Sequence, residues 1–140
     1  MIDPRARQKI FFEIGSTGCY FLSVVHLAEE VLGKYIDAYD AFIKAQAMVV
    51  VVGNETKPMV AQDLTVWGAG ELLTALTGMN WKKSWEEVSY VCKQGELEVI
   101  QYYWKEEKKY HFVCKDYDPY GASQTVANGK AIAKRVFRRY

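Results

Sequence analysis

Cys19 lies far in the sequence from His111 and Asp118, yet together the three carry the residue types of a thiol-based catalytic group. A thiol attacks as its thiolate, an imidazole takes and returns the proton, and a carboxylate holds the imidazole in one tautomer. Cys19 follows the glycine-bracketed stretch Gly15-Ser16-Thr17-Gly18 and falls in the first turn of a predicted helix. Backbone N–H groups lack partners at such a position, and the helix macrodipole there favours a negative sulfur. His26 is poorly placed as the base. It stands seven residues further along the same helix, roughly 10 Å away at 1.5 Å per residue.

His111 opens the run His111-Phe112-Val113-Cys114, and Asp118-Pro119 follows it. A two-residue turn at Cys114-Lys115 would pair Val113 with Asp116. His111 would then lie opposite Asp118, with Cβ atoms roughly 5 Å apart. Asp116 is the reserve orienter if the turn sits elsewhere. Cys92 and Cys114 fall in predicted strands and are read as inert core thiols.

The elements that must position these groups divide into a helical first half and a strand-rich second half, an α+β arrangement. Helices are predicted over 18–32, 36–47 and 68–76. In the first, Phe21, Val24, Val25, Ala28, Val31 and Leu32 form one apolar stripe, while Cys19, Ser23, His26 and Glu30 form the opposite one. Ser16 or Thr17 is expected to cap this helix, and Gly33 to end it. Residues 48–52 read as a short strand or the tail of the second helix, and 53–58 as a turn or loop. Strands are predicted over 88–92, 96–104, 110–114 and 132–137, with the charged segment 105–109 turning between two of them.

The whole chain of 140 residues, half of them apolar and 14% aromatic, is expected to fold as one domain with a real core. A formal net charge of +1 gives no general pull towards nucleic acid or anionic lipid. The first residues lack a signal-peptide layout, and the longest apolar run is too short to span a bilayer. Three scattered cysteines read as free thiols of a cytoplasmic protein. Two histidines and no CxxC pair predict no metal site, and no cofactor is expected.

Three short segments, Gly18-Cys19-Tyr20-Phe21, His111-Phe112-Val113 and Tyr117-Asp118-Pro119, give the chain a wider likeness. In their order it resembles the papain-like cysteine peptidase superfamily. It is most similar there to the small bacterial branch of bacteriocin-leader peptidases and their phage or plasmid relatives. The resemblance implies a papain-like α+β fold, with N-terminal helices packed on a C-terminal antiparallel sheet. It also implies Cys19 as nucleophile, His111 as base and Asp118 as orienter.

Two departures from that pattern stand out. Those families carry a Gln about six residues before the Cys as an oxyanion donor, and here that position is Glu13. An ionised carboxylate about 4 Å from an oxyanion would cost roughly 4 kcal/mol at an effective dielectric near 20. That is about a thousandfold in rate. A protonated Glu13, or Gln8, Ser16 or Thr17, would avoid the penalty. The spacing from His111 to Asp118 is also shorter than in those relatives.

The functional expectation is a cysteine hydrolase, a peptidase or amidase, acting on a peptide or protein substrate. Its rival is a non-catalytic domain that binds a peptide or protein in the same cleft, and Glu13 is the residue that favours it. A weaker third reading takes the basic C-terminus, Lys130, Lys134, Arg135, Arg138 and Arg139, as a phosphate contact. Those residues are more simply the solvated face of an edge strand. Gly121-Ala122-Ser123 is read as a tight turn with no helix after it.

Overall fold

The computed structural model describes residues 18–140. Glu13, Gln8, Ser16 and Thr17 lie outside the described residues. The elements are α1 (Cys19–Leu32), α2 (Ala38–Ala47), β1 (Val49–Val52), β2 (Glu55–Pro58), α3 (Ala69–Thr77), β3 (Trp81–Glu86), β4 (Leu97–Trp104), β5 (Lys109–Val113), α4 (Gln124–Asn128) and β6 (Lys130–Arg139). The chain is α+β, with helices first and a four-stranded antiparallel sheet, ordered β3-β6-β4-β5, after them. No helix among the described residues is long and apolar enough to cross a membrane.

Helix α1 forms where the apolar stripe predicts it. Phe21, Val24, Val25 and Ala28 are buried in a core shared with Phe42, Leu72, Leu73, Val99 and Phe137. Fully burying a side chain of this kind contributes about 1.5–3 kcal/mol. Gly33 ends the helix in the left-handed region at φ 64°, its N–H returning to the Glu29 carbonyl, a conformation that disfavours any residue with a Cβ. At the other end the N-cap is Gly18, with no side-chain cap. Helix α2 starts two residues later than predicted, because Asp37 leaves the helix to accept the Asp40 N–H as its cap.

Three segments differ from the sequence expectation. Residues 53–58 are not simply a loop: Gly53 and Asn54 make a tight turn, and Glu55–Pro58 pairs with Val49–Val52 as a hairpin. The strand predicted over 88–92 is irregular, and the neighbouring strand is Trp81–Glu86 instead. Its lysines suit a sheet edge, since β3 pairs on one side only.

The third difference is β6, which is an interior strand rather than an edge. Two of its cations are matched by carboxylates on the strands beside it and the adjoining loop. Lys134 Nζ lies 2.7 Å from Glu98, and Arg138 lies 2.5 Å from Glu96 and 3.2 Å from Glu86. Arg138 also meets Ser84 and the Tyr90 hydroxyl. These internal partners, rather than phosphates, explain why Lys134 and Arg138 crowd the C-terminus.

A short helix, α4, does follow Gly121-Ala122-Ser123, capped by the Ser123 side chain, which accepts the Val126 N–H. Gly129 lets its end tuck under β4. A Cβ there would sit 2.2 Å from the Thr125 carbonyl oxygen and 2.9 Å from that of Tyr103. Strand β5 is the free edge of the sheet on the side away from β3. Helix α1 packs beside it on one face and α4 near it on the other. The candidate residues meet at this edge.

Candidate functional site

Strand β5 alternates, so neighbouring side chains leave it on opposite faces. Phe112 turns towards the helices, where it stacks on Tyr20 with ring centroids 4.4 Å apart. His111 and Val113 therefore turn the other way and are buried. Two long-range bonds dock α1 on this edge. Ser23 Oγ donates to the Phe112 carbonyl at 3.1 Å, and Cys114 Sγ donates to the Ser23 carbonyl at 3.3 Å. The stripe carrying Cys19 and Ser23 thus faces β5, while the apolar stripe faces the core. Cys19 is buried at 8% exposure, yet it stands outside the contiguous apolar core.

After β5 the chain reverses one residue later than predicted. Cys114 pairs with Tyr117, leaving Lys115 and Asp116 at the tip. Continued, that register sets His111 opposite Tyr120 rather than Asp118. The rings of His111 and Tyr120 accordingly stack, with centroids 4.6 Å and planes 16° apart. Asp118 still reaches the imidazole, its Oδ1 lying 2.6 Å from His111 Nε2. That carboxylate is fixed from behind: Oδ1 accepts the Tyr120 N–H at 2.9 Å and Oδ2 the Ser123 N–H at 3.3 Å. Asp116 is not an orienter of His111. It lies 3.5 Å from His26, which also bonds Glu30 at 2.8 Å and stacks on Tyr117. His26, Glu30 and Asp116 bring ligand atoms within 4.8 Å of one another. Glu30 and Asp116 are exposed, and their contacts with His26 account for the arrangement.

With Nε2 committed to Asp118, the imidazole carries its proton there and leaves a lone pair on Nδ1. Nδ1 is buried and closes no hydrogen bond of good geometry among the described residues. Cys19 is near enough for the two groups to shift one another's titration. Burial by itself pushes the Cys19 thiol up, but His111, the Phe112 backbone N–H and the Tyr120 hydroxyl together bring it below the ordinary thiol range. Burial works to lower His111, and its partners Cys19 and Asp118 outweigh that and raise it. Asp118 is held low against its own burial by the Tyr120 N–H, His111 and Ser123. The other two thiols move the opposite way. Burial pushes Cys114 up to about 12 and also raises Cys92. Cys114 is a core thiol as expected, whereas Cys92 lies in the irregular segment before β4.

The model of a family described as Protein of unknown function, DUF261, matches residues 4–139. The chain belongs to that family. No curated protein and no solved structure matches the chain. The match to DUF261 corrects the resemblance to the papain-like cysteine peptidase superfamily: the family that covers the chain is a different one, and its description carries no activity. The three short segments behind that likeness are too brief to define a family, and the bacterial branch it implied falls with it. For this DUF261 chain any chemistry must be argued from its own site.

Tyr120 is the residue that sequence reasoning missed. A tyrosine two residues after a turn aspartate was a weak signal, and only the tertiary register brings its ring over His111.

Proposed function

We propose that this protein is a thiol-dependent hydrolase of amide bonds, a peptidase or amidase, acting on a peptide or protein substrate. One observation carries the reading: an imidazole anchored through Nε2 to a carboxylate offers its other nitrogen towards a thiol whose ionisation is drawn down. In this mechanism the Cys19 proton passes to His111 Nδ1, and the thiolate adds to the carbonyl carbon. The carbonyl electron pair moves to oxygen beside the Cys19 N–H at the open start of α1. Collapse of that intermediate expels the amine, which takes the proton back from His111. Water, deprotonated by His111, then releases the acyl group from sulfur. Asp118 holds the tautomer and stabilises the imidazolium. We infer a reducing, cytoplasmic setting from the three free thiols.

The low exposure of Cys19 and His111, 8% and 1%, favours a second reading, a non-catalytic domain that binds a peptide at this edge. N-Acetylglycine p-nitrophenyl ester separates the two. The hydrolase is expected to gain one acetylglycyl group on Cys19, seen by peptide mass spectrometry, and to lose it with time. The Cys19→Ala variant should release nitrophenol at the background rate. No acyl group on Cys19 would contradict the hydrolase and leave the binding reading.

A further inference from the structure

Nucleophile, base and orienter do not account for Tyr120, which touches all three. Its backbone N–H donates to Asp118 Oδ1 at 2.9 Å, the oxygen that also holds His111 Nε2. Its ring lies flat against the imidazole, 4.6 Å between centroids. Its hydroxyl is near enough to Cys19 for each group to shift the other's titration. The turn beneath it is pinned, with Gly121 N–H donating to the Asp118 carbonyl at 3.0 Å and Gly121 in the left-handed region at φ 67°. A phenol held at this many points has a defined position relative to the reacting sulfur.

Addition of a thiolate to a carbonyl moves a full charge onto oxygen, close to the first N–H of α1. The N-cap Gly18 brings no side chain to share that charge, and one N–H is half of an oxyanion hole. We propose that Tyr120 is a catalytic residue of this site, its hydroxyl serving as the second oxyanion donor beside the Cys19 N–H. The proposal rests on the hydrolase reading of Cys19.

On this assignment the resting phenol turns its proton to the sulfur, and its oxygen accepts the Cys19 N–H. The arriving carbonyl oxygen takes over that N–H, and the O–H turns from sulfur to the new oxyanion. The C–S bond forms, the carbonyl π pair moves to oxygen, and Tyr120 keeps its proton throughout. Burial and the adjacent Cys19 hold the phenol well above its ordinary range, so it remains a donor. An alkoxide is a more concentrated acceptor than a thiolate. The hydrogen bond therefore strengthens as the transition state is approached, as catalysis requires.

Tyr120→Phe keeps the ring on His111 and removes only the hydroxyl. Two probes read the consequence. Iodoacetamide alkylates the sulfur without forming an oxyanion, whereas N-acetylglycinal forms a hemithioacetal whose oxygen takes the oxyanion position. The variant is expected to match the wild type within about threefold in its high-pH alkylation rate. It should bind the aldehyde about tenfold or more weakly, and its Cys19-dependent cleavage should fall about 10²–10³-fold, as for loss of one oxyanion donor. Unchanged or tighter aldehyde binding would overturn the proposal and leave the hydroxyl as a mere occupant of the site. A second measurement uses wild-type protein labelled with [ζ-¹³C]tyrosine, where hemithioacetal formation should move the Tyr120 resonance. A resonance that stays in place as the hemithioacetal forms would overturn the assignment. Wild-type protein that forms no hemithioacetal at Cys19 would instead overturn the hydrolase reading, and this proposal with it.

Discussion

His111→Ala is expected to abolish Cys19-dependent turnover and to return the Cys19 thiol towards ordinary titration. In the proposed mechanism His111 supplies the base, and it is the main influence that draws the thiol down against its burial. Without it, desolvation dominates and the thiol moves up. At pH 6 a thiol with an ordinary value near 8.5 is ionised to only about 0.3%. Alkylation of Cys19 at that pH should therefore fall by about tenfold or more. Turnover should fall further, by about 10⁴-fold or more, because members of such a group act as a unit. A variant that folds, by circular dichroism, and still turns over within tenfold of the wild type would remove His111 from the mechanism.

Asp118→Ala carries the second large effect. The carboxylate fixes the proton on Nε2, which leaves Nδ1 as the acceptor. Removing it orphans a buried donor at a cost of about 1–3 kcal/mol. It also frees the ring to take the other tautomer, which would present a proton to the thiol instead of a lone pair. Loss of a tautomer-holding carboxylate is expected to lower kcat by about 10²–10⁴-fold. The pH profile should change as well. His111 is raised in part by Asp118, so the imidazolium limb should move to lower pH. The active pair is a thiolate with an imidazolium. It forms as pH rises through the lowered Cys19 value and is lost as pH rises through the raised His111 value. Its contribution to stability follows the same window. The Cys19 part is lost as pH falls through its folded value, and the His111 part as pH rises through its own. Losing Asp118 narrows that window from its upper side. An unmoved upper limb in Asp118→Ala would show that the carboxylate does not tune the imidazole.

What the sequence made legible follows the strength of local signals. Helix α1 was readable because its apolar stripe and its glycine stop agree, and the same periodicity put Cys19 on the stripe away from the core. Strand identity was harder, since pairing partners decide it. Val88-Ser89-Tyr90-Val91-Cys92 has strand composition yet runs irregularly, while Trp81–Glu86, half of it charged, is held as a strand by β6. The cations of β6 suggested an edge. Glu86, Glu96 and Glu98, distant in sequence, are what allow Lys134 and Arg138 inside the sheet. Cys19, His111 and Asp118 could be named from residue type and order. The turn that joins the last two could not be set to the residue, and a shift of one position put Tyr120, not Asp118, across from His111. The position of Glu13 relative to this site lies outside the described residues.

Cys19, alone of the three cysteines, is drawn towards its thiolate by His111. Alkylation by iodoacetamide, followed residue by residue by mass spectrometry between pH 4 and 10, tests it most directly. The position of each titration limb matters more than its height, because exposure scales the rate without moving the limb. The Cys19 limb is expected below that of Cys92, with Cys114 scarcely reacting below pH 10. A Cys19 limb that coincides with the Cys92 limb would contradict the account.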